Sequence, residues 1–264
     1  MNVRSRCESI VLGETLAEKL APRPADLIDD ERGAPTKIRA PGRPRELAFA
    51  SVRTPMPRPN ALASAEKRAV ALHRFANHEL QAIEIMAWAI LAFPDAPADF
   101  RAGLLATLED EQAHLGLYVA RLDALGTPFG SLPVNDYFWK KVGDLESPLH
   151  YLAAMGLTFE AANLDHSLAY EEAFARAGDR ESAAIVARVH EDEVGHVRFA
   201  VSWVNRWKRA GQSDLGCYLE HVRFPLGLNR ARGPVVQREP RERAGFSDEF
   251  LEAVERAPAS PLQR

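Results

Sequence analysis

Two short stretches of this sequence carry residue types that bind metal ions, and they are copies of one pattern. Residues 109–114 read Glu-Asp-Glu-Gln-Ala-His, and residues 191–196 read Glu-Asp-Glu-Val-Gly-His. On a helix, a Glu and a His three residues apart lie on the same face. Each copy could therefore hold one metal site with both side chains.

Each copy also has a lone glutamate upstream at a matching distance. Glu79 lies 32 residues before Glu111, and Glu160 lies 33 residues before Glu193. One Glu from each of two helices and a Glu-x-x-His motif from each of the other two form the ligand set of di-iron and di-manganese four-helix bundles. The predicted metal ligands, which are also the predicted catalytic residues, are Glu79, Glu111, His114, Glu160, Glu193 and His196.

The charge of this ligand set favours metal ions over a purely structural role. Four buried carboxylates without cations would be very costly, whereas two divalent ions would offset their four negative charges. Carboxylate and imidazole ligands suit iron and manganese, and a set without thiolates disfavours copper(I) and iron–sulfur clusters. We therefore expect two metal ions, with iron as the first choice and manganese or a mixed iron/manganese pair as alternatives.

The arrangement also predicts a role for each ligand. Glu79 with His114 should complete one ion and Glu160 with His196 the other, so that Glu111 and the repeat-related Glu193 would bridge the pair.

Three neighbouring residues are weaker candidates. Asp110 and Asp192 each precede a predicted ligand, where they could accept a proton from a histidine ring and fix its tautomer; the alternative is a surface acid. Tyr118 lies one helical turn after His114, where a phenol could relay an electron or a hydrogen atom; the alternative is a core tyrosine.

Four long helices are predicted to carry the ligands, because capping residues and helix breakers divide the apolar patterns. The predicted helices run from Ser64 to Phe93, from Pro97 to Gly126, from Ser147 to Gly178 and from Asp179 to Gly211. Glu79 lies fourteen residues before the first turn and Glu111 fourteen residues after it, so both reach the same height, about 21 Å from the turn.

These helices predict an all-α fold, a ferritin-like four-helix bundle over residues 64–211. It consists of two antiparallel helical hairpins, 64–125 and 148–211, related as an internal repeat. The connection 126–147 is rich in Gly and Pro and contains a predicted turn at 136–142. Its 22 residues could reach beyond ~60 Å, enough to cross over from the end of one hairpin to the start of the next.

The flanking regions are predicted to be arms. Residues 1–63 contain a short helix at 7–21 and an extended basic arm, whereas residues 212–264 contain short helices, the last at 247–256, and an arginine-rich tail at 221–245. Each arm could clasp the acidic bundle or face an anionic partner; the clasp is the favoured interpretation because no aromatic stacking residues are interleaved. The basic residues are Arg32, Lys37, Arg39, Arg43, Arg45, Arg53 and Arg58 in the first arm and Arg223, Arg230, Arg232, Arg238, Arg241 and Arg243 in the tail.

Composition is that of an ordinary globular protein of 264 residues, with 46% hydrophobic and 27% charged residues and a formal net charge of −4. Two cysteines cannot form a disulfide framework, which predicts a reducing, cytoplasmic location. The longest apolar segment, Leu80 to Phe93, contains Glu84 and is too short to span a bilayer, so no membrane partner is expected.

With these residues identified, the chain resembles the ferritin-like di-iron carboxylate superfamily over 64–211. More narrowly, it resembles a bacterial ferritin-like family called domain of unknown function 455. The stretches that carry this resemblance are residues 71–84 (ALHRFANHELQAIE), 130–134 (GSLPV), 159–161 (FEA) with Leu164-Asp165, and 192–197 (DEVGHV). The superfamily resemblance implies oxygen or peroxide chemistry at a reduced pair of metal ions.

The expected function is therefore an oxidoreductase that activates dioxygen or peroxide on a small organic substrate. Because the chain lacks Cys-x-x-Cys pairs, electrons would come from an external donor; a homodimer is an open alternative to a monomer. Two other functions remain open. One is a ferroxidase or other metal-handling protein. The other is an RNA-modifying enzyme similar in ligand set to the bacterial transfer-RNA hydroxylases, which would need the basic arms to bind nucleic acid.

Overall fold

The computed structural model describes residues 2–52, 54–141 and 145–259, and these form α-helices joined by turns and short 3-10 segments. Two isolated bridges, Asn2 with Ile28 and Phe49 with Val134, are the β-type pairings within these ranges. The predicted all-α fold is confirmed. No helix among the described residues has the length and apolar character needed to cross a membrane.

The chain divides into two compact units, Met1–Asp144 and Leu145–Arg264. Each unit contains one of the predicted helical hairpins together with the arm next to it in sequence. The domain boundaries at 63/64 and 211/212 stay a prediction. Arg53 of the basic arm and residues 142–144 of the connection lie outside the described residues.

The first unit is built on a hairpin of two long helices, α3 and α4. Its helices are α1 (Val3–Leu12), α2 (Leu16–Lys19), α3 (Ala65–Ala92) and α4 (Ala98–Ala124). The Ser64 side chain accepts a hydrogen bond from Lys67 N and caps α3, as predicted. Gly126, which has a positive φ of 68°, follows the end of α4. α1 packs against α3, and 3-10 turns cover Arg45–Leu47, Pro59–Ala63 and Trp139–Lys141.

The predicted helix at 7–21 differs from the observed structure, because two helices occupy this region. The first ends at Leu12, and Thr15 then starts α2 with a capping box that it forms with Glu18. The local capping interaction therefore outcompetes a continuous helix.

The second unit is built on a hairpin of α6 and α7, and its arm contains short helices that pack on this hairpin or on one another. Its helices are α5 (Pro148–Ala154), α6 (Ala161–Arg176), α7 (Arg180–Trp207), α8 (Asp214–His221), α9 (Arg238–Ala244) and α10 (Asp248–Arg256). Ser147, Asp179 and Ser247 each accept a backbone N–H at the start of a helix, as their positions predict. α9 packs against both α6 and α7.

The third predicted helix is not a single α-helix. A π-helical segment, Met155–Glu160, separates α5 from α6. The fourth helix also ends earlier than predicted, at Trp207, because Lys208 already has an extended backbone.

Candidate metal centre

The first hairpin brings together three of the predicted ligands. Glu79 on α3 and both Glu111 and His114 on α4 offer ligand atoms that all lie within 4.8 Å of one another. All three side chains are buried, with exposed fractions of 6% or less. The matched heights that the residue count predicts in this hairpin are therefore confirmed, and these three residues could hold a metal ion.

The chemistry of this cluster fits a divalent cation. His114 Nδ1 lies 3.2 Å from Glu111 Oε2, so the ring nitrogen and the carboxylate face a common point. Two donors on one ion are separated by at most about twice the bond length, or roughly 4 Å. Because the ligand atoms lie no more than 4.8 Å apart, small side-chain rotations would be enough to complete coordination. Two buried carboxylates with one imidazole also carry negative charge that a cation would offset.

The second hairpin places the repeat-related pair in the same way on α7. His196 Nδ1 lies 3.6 Å from Glu193 Oε2, and both side chains are almost fully buried. The other oxygen, Glu193 Oε1, accepts a hydrogen bond of 2.9 Å from Asn163 Nδ2 on α6. Glu193 Oε2 accepts no hydrogen bond from the described residues. A buried carboxylate oxygen that accepts no hydrogen bond and lies beside an imidazole nitrogen is suited to binding a metal ion.

The π-helical segment places Glu160, the remaining predicted ligand, at its last residue. Thr158 Oγ1 donates to the Ala153 carbonyl at 2.7 Å, and Tyr218 OH on α8 donates to Thr158 Oγ1 at 2.9 Å. Gly156 lies so close to α7 that a Cβ atom there would overlap the Cβ atom of Ala200. The segment is therefore held from two sides, by a hydroxyl pair and by a close helix contact. Such π segments occur frequently at functional sites.

The structure separates the three weaker candidates. Asp110 is exposed, as expected for a surface acid, whereas Asp192 is half-buried. Tyr118 is buried, and its ring centroid lies 5.6 Å from that of Phe75. The roles proposed for the two aspartates and the tyrosine stay predictions.

A buried carboxylate five residues after the upstream glutamate holds the arm of the first unit. Glu84 accepts from Lys19 Nζ at 3.0 Å, from Arg43 Nη2 at 2.6 Å and from Trp139 Nε1 at 2.8 Å. Burial lowers the pKa of Lys19, and the nearby Glu84 carboxylate opposes that shift. Two cations and an indole thus converge on one buried carboxylate, which fits the clasp interpretation of the basic arm.

Asp165, five residues after Glu160, has the same role in the second unit. It is paired with the fully buried Arg241 of the tail and accepts from the backbone N–H groups of Gly233 and Gln237 at 2.8 and 2.7 Å. The matching offset from Glu79 and Glu160 marks Glu84 and Asp165 in the sequence as a repeated pair that points away from the ligands, towards contacts with other elements. Their arginine partners are set by the tertiary fold and leave no local signal.

Outside the ligand motifs, a lone histidine is interpreted from the sequence as a partly exposed polar residue, but two of these histidines are buried. His73 Nε2 accepts from the backbone N–H groups of Gly130 and Leu132, and His190 Nδ1 lies 2.8 Å from Ser167 Oγ. Burial lowers the pKa of both rings. That earlier interpretation is wrong because each ring has a partner distant in sequence, and such partners compensate for burial.

Neither curated proteins nor solved structures gave a match to the chain. A family model does match, and it covers residues 7–252, which include both hairpins, the connection between them and most of both arms. The chain therefore belongs to the family described as "Protein of unknown function (DUF455)".

Proposed function

We propose that this protein is a non-haem di-metal carboxylate oxidoreductase, with iron as the first choice of metal. The observation that carries the proposal is the buried cluster of Glu79, Glu111 and His114 in the first hairpin. The repeat of the same ligand types in the second hairpin, through Glu160, Glu193 and His196, supports a second ion.

In this proposal each hairpin contributes two carboxylates and one imidazole. Two reduced iron ions would supply electrons for dioxygen or peroxide chemistry on a small organic substrate. The protein's own contribution is to fix the carboxylates and imidazoles at their positions and to exclude water from them. Five of the six side chains are buried and Glu160 is half-buried, which supports that role.

The contacts of the arms support this proposal over an RNA-modifying enzyme. Arg43 and Arg241 are buried on Glu84 and Asp165, and Arg243 pairs with Glu191 at 2.6 Å. Arg32 donates to the backbone carbonyls of residues 94 and 96 at the α3–α4 turn. Because the guanidinium groups of Arg43 and Arg241 neutralise buried carboxylates, they cannot also bind phosphate, and this favours the clasp.

The test is oxygen consumption by the iron-loaded, chemically reduced protein, measured beside its metal content. Glu79→Ala should lower the bound iron and the rate of oxygen consumption by at least about tenfold, because it removes one of the buried ligands. Glu66→Ala is the matched control, since Glu66 is exposed in the first turn of α3.

Equal iron content and equal rates in the wild type and in Glu79→Ala would reject the proposal. Sustained oxidation of excess ferrous ion with no need for an organic substrate would support a ferroxidase instead.

A further inference from the structure

At three positions near the predicted ligands, the second hairpin has a polar residue where the first has an apolar one. Three residues after the upstream glutamate, the second hairpin has Asn163 where the first has Ala82. Seven residues after it, Ser167 takes the place of Met86, and three residues before the motif glutamate, His190 takes the place of Leu108. Polar residues thus occupy positions in the second hairpin that are apolar in the first.

Asn163 is the residue of this group that touches a predicted ligand. Its Nδ2 lies 2.9 Å from Glu193 Oε1. An ionised carboxylate only accepts hydrogen bonds, so the NH2 group of the amide must face it. The contact crosses from α6 to α7 and joins the carboxylate to the backbone through a short side chain that has few rotamers.

A second polar contact supports the backbone of Asn163. Ser167 Oγ lies 2.6 Å from the Asn163 carbonyl and 2.8 Å from His190 Nδ1. The carbonyl can only accept, so the single hydroxyl proton of Ser167 points to it, and His190 Nδ1 must then donate to Ser167 Oγ. Two contacts therefore hold the α6 turn that carries Asn163 on α7. One is the Asn163 side chain on Glu193, and the other is Ser167, which bonds the Asn163 carbonyl and His190.

We propose that Asn163 is a positioning residue that makes the two half-sites unequal. It occupies Glu193 Oε1 and leaves Oε2, on the side of His196, as the oxygen that binds metal. Ala82 has no donor with which to restrain a carboxylate in this way. The ion bound by the second half-site therefore meets a preorganised carboxylate, and the two ions bind with different affinities. This inference rests on the proposed di-metal function.

The experiment is a calorimetric titration of the metal-free protein with Mn²⁺, combined with the visible absorption spectrum of the Co²⁺-loaded protein. Wild type should show two binding steps. Asn163→Leu should weaken one step by about tenfold or more, leave the other within about twofold, and shift the Co²⁺ bands, because the supporting hydrogen bond is lost. Asn163→Ala, which cannot clash, should do the same.

Glu172→Ala is the matched control, because Glu172 is exposed on the same helix, α6, and pairs with Arg176 rather than with Asn163 or Glu193. It should leave both affinities within about twofold of wild type.

The inference is overturned if both Asn163 variants keep the two affinities and the Co²⁺ spectrum of wild type, or if Glu172→Ala causes the same loss. A wild-type protein that binds no Mn²⁺ or Co²⁺ would overturn the proposed function as well. Failure of the further inference alone therefore appears in the variants, whereas failure of the proposed function appears already in the wild type.

Discussion

His73 is a buried histidine whose chemical role depends on staying neutral. It lies in the third turn of α3, and its Nε2 accepts hydrogen bonds from the backbone N–H groups of Gly130 at 3.0 Å and Leu132 at 3.4 Å. Burial, helped by the positive charge of Arg74, lowers the pKa of His73 from 6.5 to about 4. A proton on Nε2 would remove the acceptor for both backbone groups. His73 therefore holds the start of the connection between the hairpins only in its neutral form.

The pKa of His73 predicts a pH dependence of stability. The unfolded chain takes up this proton near pH 6.5 and the folded chain only near pH 4, so the stabilisation is complete above pH 6.5. It is lost as the pH falls towards 4, and its full size is on the order of 3 kcal/mol. Urea unfolding with chelator, at several pH values between 4 and 7.5, measures it against His73→Gln, which cannot titrate.

The free-energy difference between wild type and His73→Gln should shrink steadily as the pH falls. A difference that stays constant across this range would contradict the assignment. Because other titrating groups are common to both proteins, they cancel in the comparison.

At the scale of single residues, the sequence predicts ligand types well and burial of lone polar residues poorly. Glu79, Glu111 and His114 follow from spacing and helix periodicity, which are local properties. The burial of His73 and His190 depends on partners 57 and 23 residues away in the chain. No local pattern contains that information.

At the scale of elements, the long helices and their starts were predictable, but the π-helical segment was not. Ser64, Ser147, Asp179 and Ser247 mark helix starts through side-chain oxygens that act within three residues. The π segment depends instead on the Thr158–Tyr218 contact, across 60 residues, and on the approach of Gly156 to α7. Glu160 is the last residue of this segment, so the segment determines where this predicted ligand is placed.

Gly156→Ala tests the close contact that holds the π segment. The added Cβ atom would overlap Ala200 and would lie 3.7 Å from Glu160 Oε2. We expect a loss of about 1–3 kcal/mol in the free energy of unfolding, measured in urea without metal, because overpacking forces the two helices apart.

Gly116→Ala on α4 is the matched control, since a Cβ atom there meets no other atom within 4 Å. It should stabilise the protein by about 0.5–1 kcal/mol through helix propensity. Equal effects of the two substitutions would show that the segment tolerates a side chain at 156 and is not tightly packed.

At the scale of the whole molecule, each arm is held on its neighbouring hairpin by basic side chains that pair with one buried carboxylate. We call each of these buried groups of ion pairs a clamp. In the first unit the arm is fixed by Arg43 and Lys19 on Glu84, and in the second by Arg241 on Asp165. The formal net charge of −4 hides this local pairing of basic arms with buried acids. Charge composition alone therefore leaves both interpretations of the arms open, and the contacts favour the clasp.

Removing one clamp should release one arm and leave the other in place, because each clamp lies within its own unit. Arg43→Met removes one of the two cations that pair with Glu84. Arg241→Met leaves Asp165 buried with two backbone N–H donors. Each substitution should lower the free energy of unfolding by on the order of 3 kcal/mol. Trypsin should then cut Arg43→Met within residues 22–59 and Arg241→Met within residues 221–245, well below the unfolding temperature. Intact-mass analysis of the fragments identifies the cleaved arm.

Arg243→Met is the matched control for these variants, because Arg243 pairs with Glu191 at the surface. Exposed ion pairs contribute little to stability, so this substitution should leave the cleavage pattern of wild type unchanged. Cleavage of both arms in either clamp variant would mean that the arms are released together by global unfolding. Protection of both arms in both variants would mean that packing, rather than the buried ion pairs, holds them, since the arginine is then dispensable.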